Sequence, residues 1–248
     1  MKVRLLVAYD GAAFSGFARN DGIVSVAETL ETMIGAICGE PIVVTGAGRT
    51  DKGVHARGQV VSFDAPDTLD PAVVQRSITK RTGGSIVIHE AARVDADFDA
   101  RFSARWRRYR YTIVNRTMPE VDLRHVAWHV SEPLSMEALL EATPHFLGSH
   151  DFSAFCRRPK GTAPGQVSMV RKVLSADWSE IDDDILRFEI TASAFCHQMV
   201  RSIVGTLVDV GRGHLAADSI PSILEGRDRS RAGNLAPPHG LSLHEVGY

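Results

Sequence analysis

The amino-acid sequence predicts an α+β protein made of two halves, each with the order β-α-β-β-α-β. Two observations predict this class. Short segments with an apolar residue at every second position alternate with longer segments in which apolar residues recur every three or four positions. The same order of elements occurs twice along the chain. No residue period is shared by the two halves, so the repetition is one of topology only.

The first half begins with a strand from Val3 to Tyr9. Ser25 and Glu28 have the spacing of a capping box, which predicts a helix that continues to about Ile37. A second helix follows Asp70 and Pro71, an N-cap residue followed by proline at the first helical position. Three further strands complete this half, at residues 42–45, 59–63 and 85–89.

The second half repeats this order from Trp106 onward. In such a fold, two helices cover one face of an antiparallel sheet and leave the other face free, as in ferredoxin-like and RNA-recognition folds. Two such sheets can join edge to edge into one larger sheet, so we expect domains at 1–104 and 105–248. The predicted strands are 106–114, 167–178, 185–191 and 241–246, and the predicted helices are 136–146, 197–210 and the short 220–224.

Composition indicates an ordinary globular chain of 248 residues, 44% of them hydrophobic. No apolar run approaches the roughly 18 residues that a membrane-spanning helix needs, and the N-terminus lacks the core of a signal peptide. We therefore expect a cytoplasmic protein with no membrane partner. Cys38, Cys156 and Cys196 have no CxxC spacing, which predicts buried apolar side chains and neither disulfides nor a zinc site.

The net charge of −2 argues against a protein that coats nucleic acid through bulk positive charge. The distribution of charge along the chain, however, favours binding to an anion. Five arginines and no acid lie between Arg101 and Arg110, and a second acid-free basic segment runs from Phe152 to Ser175. A solvated face explains either segment alone, but two of them in a mildly acidic chain indicate a localised anionic partner.

The most unusual stretch is the glycine-rich loop GAGRTDKGVHARGQ, residues 46–59. A phosphate-binding loop needs a helix behind it and a lysine after its last glycine, whereas here Val54 and a predicted strand follow. A plain β-turn over Thr50–Gly53 accounts for the glycines. However, the loop is longer than a hairpin requires and concentrates charged side chains, so it also suits the presentation of Asp51 as a nucleophile or general base.

Several motifs resemble those of the tRNA pseudouridine synthase A family. The segment 48–56, GRTDKGVHA, is similar to the catalytic loop of that family. Four other segments are similar to further family motifs and occur in the family's order, across nearly the whole chain. They are 9–16 (YDGAAFSG), 98–111 (FDARFSARWRRYRY), 195–205 (FCHQMVRSIVG) and 236–243 (APPHGLSL). The chain departs from the usual signature at Phe17, Ala18 and Ala27.

This resemblance implies a homodimer that isomerises uridine to pseudouridine in the anticodon stem-loop of tRNA, at positions 38 to 40 of the tRNA. It implies a central, positively charged RNA-binding cleft and no metal or organic cofactor. Asp51 matches the catalytic aspartate, Arg49 the arginine that displaces the base, Tyr109 the tyrosine beside the target base, and Arg201 the arginine that pairs with the aspartate. The expected substrate-binding residues are His55, Arg105, Arg107, Arg157, Arg158 and Lys160.

The periodicity of the elements is compatible with these roles. Arg105, Arg107, Tyr109 and Tyr111 share one face of the predicted strand, so a base stacked on Tyr109 would have guanidinium groups beside it. Arg201 falls at the edge of the apolar stripe of its helix. Two other hypotheses stay open at this point: an RNA-binding module without catalysis, and an enzyme that binds a phosphate ligand in the glycine loop.

Overall fold

The computed structural model describes residues 1–20, 22–158, 161–162 and 166–248. Its strands form a large, mostly antiparallel sheet accompanied by helices, which confirms the predicted α+β class. The chain divides into two compact units, the first comprising Met1–Arg107 and Ser242–Tyr248 and the second Arg108–Leu241. The closing strand therefore belongs almost entirely to the first unit. The predicted division into domains at 104/105 stays a prediction.

The first unit contains the predicted β-α-β-β-α-β series. Its order along the chain is β1 (Lys2–Tyr9), α1 (Val26–Cys38), β2 (Thr45–Gly46), β3 (His55–Asp64), α2 (Pro71–Arg81) and β4 (Ile86–Val94). β1 pairs antiparallel with both β3 and β4, and β2 pairs antiparallel with β3. The strand order is therefore 4-1-3-2, which is that of a ferredoxin-like sheet.

Local signals decide where the helices of this unit begin. Ser25 accepts a hydrogen bond from the Glu28 backbone N–H at 3.2 Å, as the capping box predicts, and Asp70 caps α2 by accepting from the Ala72 N–H at 3.0 Å. Alternate residues of β1 are fully buried, which gives the period of two that identified the strand. These elements were readable because their stabilising contacts are close in sequence.

The strand β2 is two residues long and lies later than the predicted 42–45. The backbone N–H of Val44 donates to Glu31 Oε1 at 3.1 Å, so it does not take part in a strand ladder. Pro41 has no N–H to offer a neighbouring strand. The apolar residues before β2 are therefore held by a side chain of α1, which the sequence pattern did not reveal.

The second unit has a long antiparallel hairpin at its centre. Its elements are most of β5 (Trp106–Val114), β6 (Trp128–His129), α3 (Met136–Ala142), β7 (Gly148–Asp151), β8 (Val170–Asp182), β9 (Ile185–Ala192), α4 (Met199–Gly211) and α5 (Ile220–Gly226). The strand order is β5-β9-β8-β7. Asp184 adopts a positive φ of 59° in the two-residue turn between β8 and β9, a conformation that aspartate tolerates better than most side chains.

The last strand, β10 (Leu241–Gly247), pairs in parallel with β3, with Ser242 opposite His55. This contact places residues near the C-terminus beside the end of the glycine-rich loop of the first unit. Gly58 makes the approach possible, because a Cβ added there would lie 2.2 Å from the His244 carbonyl oxygen. The sequence pattern predicted the strand, and the tertiary structure decided its neighbour.

Helix α3 ends at Ala142 rather than at the predicted residue 146, and a 3₁₀ turn continues over Thr143–Phe146. Pro144 accounts for the difference, since it has no N–H for the α-helical ladder. The prediction for the cysteines was also wrong. Cys156 and Cys196 form a disulfide with a Cα–Cα distance of 5.8 Å, whereas Cys38 is free. The partners are 40 residues apart, so their spacing carried no signal.

No helix in the described ranges is long and apolar enough to cross a membrane. Two of the three departures from the family signature, Phe17 and Ala27, fall inside the core. Phe17 and Ala27 are 4% and 5% exposed, and the Ala27 N–H donates to the Phe17 carbonyl at 2.9 Å. A Cβ at Gly46 would lie 2.4 Å from the Phe17 ring, so this glycine provides the space that the ring fills. These two substitutions therefore change packing rather than the exposed surface.

Candidate active site

The glycine-rich loop connects β2 to β3 and carries Asp51 at the start of a tight turn. The Val54 N–H donates to the Asp51 carbonyl at 3.1 Å, so the turn covers Asp51–Val54 and begins one residue later than predicted. Gly53 has a φ of 81°, the left-handed conformation that glycine adopts at no steric cost. The prediction that Gly53 permits a turn here is confirmed. Asp51 itself is half-buried.

Thr50 holds the chain on the N-terminal side of Asp51. This residue is 7% exposed, and its hydroxyl lies 2.8 Å from the hydroxyl of Tyr9 on β1. Its carbonyl accepts the Phe17 N–H at 3.0 Å. Burial raises the pKa of Tyr9 to about 12, although its hydrogen bonds to Thr50 and Gln59 act in the opposite direction. The phenol is therefore neutral at pH 7 and remains able to donate.

Gln59 holds the beginning of the same loop. Its side chain is fully buried, donates through Nε2 to the Gly48 carbonyl at 2.7 Å, and accepts the Gly48 N–H through Oε1 at 3.3 Å. Nε2 also lies 3.4 Å from the Tyr9 hydroxyl. Tyr9, Thr50 and Gln59 thus form one buried polar network on both sides of Arg49, whose own side chain is exposed. The network limits the positions that Asp51 can occupy.

We expect Gln59→Leu to destabilise the protein by about 3 kcal/mol, because leucine fills the space but leaves the buried N–H and carbonyl of Gly48 without partners. The measurement is chemical denaturation, together with faster amide hydrogen exchange at residues 48–53. Gln75→Leu is the matched control, since the Gln75 amide donates to the His89 carbonyl in an exposed position where water can replace it. Equal stability losses in the two variants would contradict the role of the buried network.

The C-terminal side of the loop is held by His55 and Gly11. The Gly11 N–H donates to His55 Nδ1 at 3.1 Å, and Asp10 Oδ1 lies 3.2 Å from the same nitrogen. A Cβ at Gly11 would lie 2.2 Å from the Val54 carbonyl oxygen, so only glycine fits beside the end of the loop. The imidazole thus helps to order the backbone.

Arg107 contacts the loop from β5. Its buried guanidinium donates to the carbonyl of Ala47 through Nε at 3.1 Å and Nη2 at 2.8 Å, and to the carbonyls of Arg101 and Ala104. Ala47 is the second residue of the glycine-rich loop, so this arginine fixes the start of the loop. Arg105, by contrast, has an exposed side chain. Burial also raises the pKa of Tyr248, whose hydroxyl donates to Ala100 in the same region.

In the second unit, Tyr109 lies on the more buried face of β5. It is 7% exposed and packs edge-to-face on Phe195, with ring centroids 5.0 Å apart and an interplanar angle of 86°. On the other face of β5, Arg108 and Arg110 approach Glu189 of β9 at 3.5 and 2.5 Å. The first basic segment is therefore partly neutralised by a carboxylate that is distant in sequence.

Arg201 lies in the first turn of α4 and is half-buried. Its Nε donates to the Ala236 carbonyl at 2.8 Å, and the Ala236 N–H donates to the Arg201 carbonyl at 3.2 Å. The neighbouring Pro237 carbonyl accepts from the Tyr111 hydroxyl at 2.8 Å. Burial raises the pKa of Tyr111, while Arg201 lowers it, so the phenol stays neutral and able to donate. The segment after Asn234 thereby orients Arg201.

Arg157 and Arg158 follow Cys156 and are exposed, whereas Lys160 lies outside the described residues. Arg157 and Arg158 line a cavity of about 490 Å³ in the second unit. Gln198, which precedes α4, lines the same cavity. Sequence reasoning missed two further arginines that line this cavity, Arg227 and Arg229. The basic run RDRSR at 227–231 was the signal that could have found them.

Of the sequence-predicted site residues, Arg49, Asp51, His55, Arg105 and Arg107 lie in the first unit. Tyr109, Arg157, Arg158 and Arg201 lie in the second. Within the part of the chain that the structure describes, no group of three or more His, Cys, Asp or Glu side chains is placed to hold a metal ion.

The chain matches the sequence model of a family described as tRNA pseudouridine synthase over residues 5–103 and 142–248. It is 41% identical over 246 residues to the tRNA pseudouridine synthase A of Acetivibrio thermocellus, which covers 99% of each chain. It is 38% identical over 251 residues to the enzyme of that name from Bacillus subtilis, covering 100% of this chain and 99% of the relative. The Cereibacter sphaeroides protein of the same name is 39% identical over 246 residues, and the match covers 98% of this chain and 95% of the relative.

Proposed function

The chain belongs to the tRNA pseudouridine synthase family, and we propose that Asp51 is the catalytic residue with which it isomerises uridine to pseudouridine in tRNA. The enzyme breaks the glycosidic bond of uridine, turns the uracil and joins C5 to the sugar, with no net redox change or hydrolysis. The observation that supports Asp51 is its position on a turn held by side chains on both sides. Tyr9 and Gln59 contact Thr50 and Gly48 on the N-terminal side, and His55 accepts from the Gly11 N–H on the C-terminal side.

A carboxylate needs no activation at neutral pH, so a well-positioned aspartate is sufficient for this chemistry. It can attack C1′ of the ribose, attack C6 of the pyrimidine, or abstract a proton from the sugar. Each route requires the carboxylate to stay within reach of a single ribose or base. The anchoring of Gly48, Thr50 and Val54 supplies that restriction, because the backbone around Asp51 is tied to β1, β3 and the segment after β1.

We assign three further catalytic residues from the family motifs. A uridine in a helical stem must leave the base stack before it reacts, which costs a few kcal/mol. Arg49, exposed beside Asp51, is the residue proposed to displace the base, and Tyr109 is the one proposed to pack against it. Arg201 is proposed to pair with the carboxylate of Asp51, and its orientation by Ala236 suits a residue that must present its remaining guanidinium N–H groups in one direction.

The remaining predicted residues divide into two groups by their contacts. Arg105, Arg157, Arg158 and Lys160 are proposed to bind the RNA backbone; the three described ones have exposed side chains. Arg107 and His55 are proposed to serve substrate binding indirectly. The bonds of Arg107 to Ala47 and of His55 to Gly11 fix the two ends of the loop that must meet the substrate.

The proposed substrate site is the anticodon stem-loop, at positions 38 to 40 of the tRNA. The test is to incubate the enzyme with unmodified tRNA transcripts and map pseudouridine at single-nucleotide resolution. A transcript with cytidine at these positions is the control. We expect pseudouridine in the first transcript and none in the second. Binding of tRNA without any pseudouridine would favour an RNA-binding module without catalysis and overturn this proposal.

We also propose, from family membership, that the enzyme acts as a homodimer in the cytoplasm. Light scattering of the purified protein tests the oligomeric state, and fractionation of cells that express it tests the location. A monodisperse monomer at concentrations where the enzyme is active would contradict the homodimer.

A further inference from the structure

The second unit contains a cavity that the proposed catalytic residues do not account for. Its lining comes from three separate parts of the chain: the segment Ser153–Arg158, residue 198 before α4, and the segment after α5. We call it the arginine cavity. It has a volume of about 490 Å³ and is lined by Ser153, Cys156, Arg157, Arg158, Gln198, Arg227 and Arg229.

The arginine cavity holds an excess of positive charge. Four of its lining residues are arginines. Asp151 pairs with one of them, Arg227, at 3.2 Å, and its other oxygen accepts from the Ser153 hydroxyl at 2.6 Å. Asp228 caps the turn that follows it, through the N–H and hydroxyl of Ser230. The described lining residues thus include four guanidinium groups and no carboxylate.

Arg229 is the residue most strongly affected by this surplus. Burial lowers its pKa, and the charges of Arg157 and Arg201 lower it further. Repulsion among these three side chains costs free energy when no anion is present. An anion that binds beside them recovers that cost, and it does so in a partly buried position where salt screens the interaction less than on an open surface.

One atom of Arg229 has an unmet hydrogen-bonding need. Nη2 donates to Gln198 Oε1 at 2.7 Å, which orients the guanidinium. Nη1 is buried and has no hydrogen-bond partner among the described residues. A buried donor without an acceptor is costly, and such atoms often mark the place of a ligand. Arg229 is also one of the residues that line the cavity.

We propose that the arginine cavity binds a backbone phosphate of the tRNA, with Arg229 Nη1 as a donor to a phosphate oxygen and Arg157 and Arg158 at the exposed edge. The described lining residues include no aromatic ring on which a nucleobase could stack, and guanidinium groups match the geometry of a phosphate. That the phosphate belongs to tRNA rests on the proposed function, whereas the anion site rests on the cavity alone.

The experiment compares Arg229→Gln with wild type in tRNA binding across a series of salt concentrations. We expect the dissociation constant to rise about tenfold, and the slope of log K against log salt to decrease in magnitude by about 0.7–0.9, as one phosphate contact is lost. Arg76→Gln is the control, because it removes the same charge from an exposed position on α2. It should bind with a slope close to that of wild type.

Arg157→Gln provides a second variant in case Arg229→Gln does not fold, since the Arg157 side chain is exposed. Inorganic phosphate added without tRNA should raise the Tm of wild type more than the Tm of Arg229→Gln. If Arg229→Gln does not fold, the same comparison is made with Arg157→Gln. If the cavity variant and Arg76→Gln bound tRNA with equal affinity and equal salt slope, the proposed phosphate site would be overturned. This outcome is distinct from failure of the proposed function, in which wild type forms no pseudouridine.

A gain in Tm from inorganic phosphate together with an unchanged tRNA salt slope would show an anion site that RNA does not use. That result would also overturn the proposal, because it would separate the cavity from the substrate.

Discussion

Replacing Asp51 with alanine should reduce the rate of pseudouridine formation by about 10⁴-fold or more, the size of loss typical when an enzyme loses its essential nucleophile or base. The physical reason is the absence of another carboxylate on the same loop. Gly48–Ala56 contains one acidic side chain, Asp51 itself. The measurement is single-turnover conversion of a tRNA transcript at saturating enzyme, so that weaker binding cannot be mistaken for a slower reaction.

The same variant should bind tRNA as tightly as wild type or more tightly, because it removes a negative charge that repels the RNA backbone. Asp122→Ala, at an exposed position in the second unit, is the matched control and should keep full activity. If Asp51→Ala formed pseudouridine at a rate near that of wild type while binding equally well, Asp51 could not be the catalytic residue.

Replacing Gly205 with alanine should destabilise the protein by about 3 kcal/mol, which corresponds to a fall in Tm of roughly 6–12 °C for a chain of this size. Gly205 lies within α4, where the segment after Gly233 crosses the helix. A Cβ added there would be 1.6 Å from the Asn234 carbonyl oxygen and 3.1 Å from the Ala236 nitrogen. The crossing segment would have to move, and its bonds to Arg201 and Thr206 would break.

The direction of the change in Tm distinguishes a steric clash at Gly205 from the effect of helix propensity. Helix propensity alone predicts that alanine stabilises a helix relative to glycine by about 0.5–1 kcal/mol. Thermal unfolding followed by circular dichroism decides between the two expectations. A higher Tm for Gly205→Ala than for wild type would mean that the crossing segment does not approach α4 as closely as described.

Most of the fold could be predicted because its signals are local. The capping residues Ser25 and Asp70 bond to N–H groups two or three residues away, and the alternation along β1 reflects a period of two. The same holds for the turn that carries Asp51, which depends on Gly53 two residues later. Errors appeared where a distant partner replaced a local one. Glu31 binds the backbone of Val44, so the strand predicted from residue 42 begins only at Thr45.

In the candidate site, too, local motifs could be predicted from the sequence and distant contacts could not. The resemblance of the loop to a family motif led to the prediction of Asp51 and Arg49 as catalytic residues without any knowledge of their surroundings. It did not reveal that Gln59 and Tyr9 hold the loop, or that Arg107 is engaged with the carbonyl of Ala47. It also missed Arg229, because charge runs on a surface and charges that line a cavity look alike in a sequence.

The sequence by itself determined the order of strands and helices in the first unit and the position of the glycine-rich loop, and it led to the proposal that this loop presents Asp51. It did not reveal the short strands β6 and β7 of the second unit. Only the tertiary structure decided that Cys156 meets Cys196, that β10 lies beside β3, and that Arg157 and Arg229 share a cavity. The physical reason is the range of the interactions. Caps, turns and strand alternation act over a few residues, whereas pairings across 40 residues or more depend on how the whole chain packs.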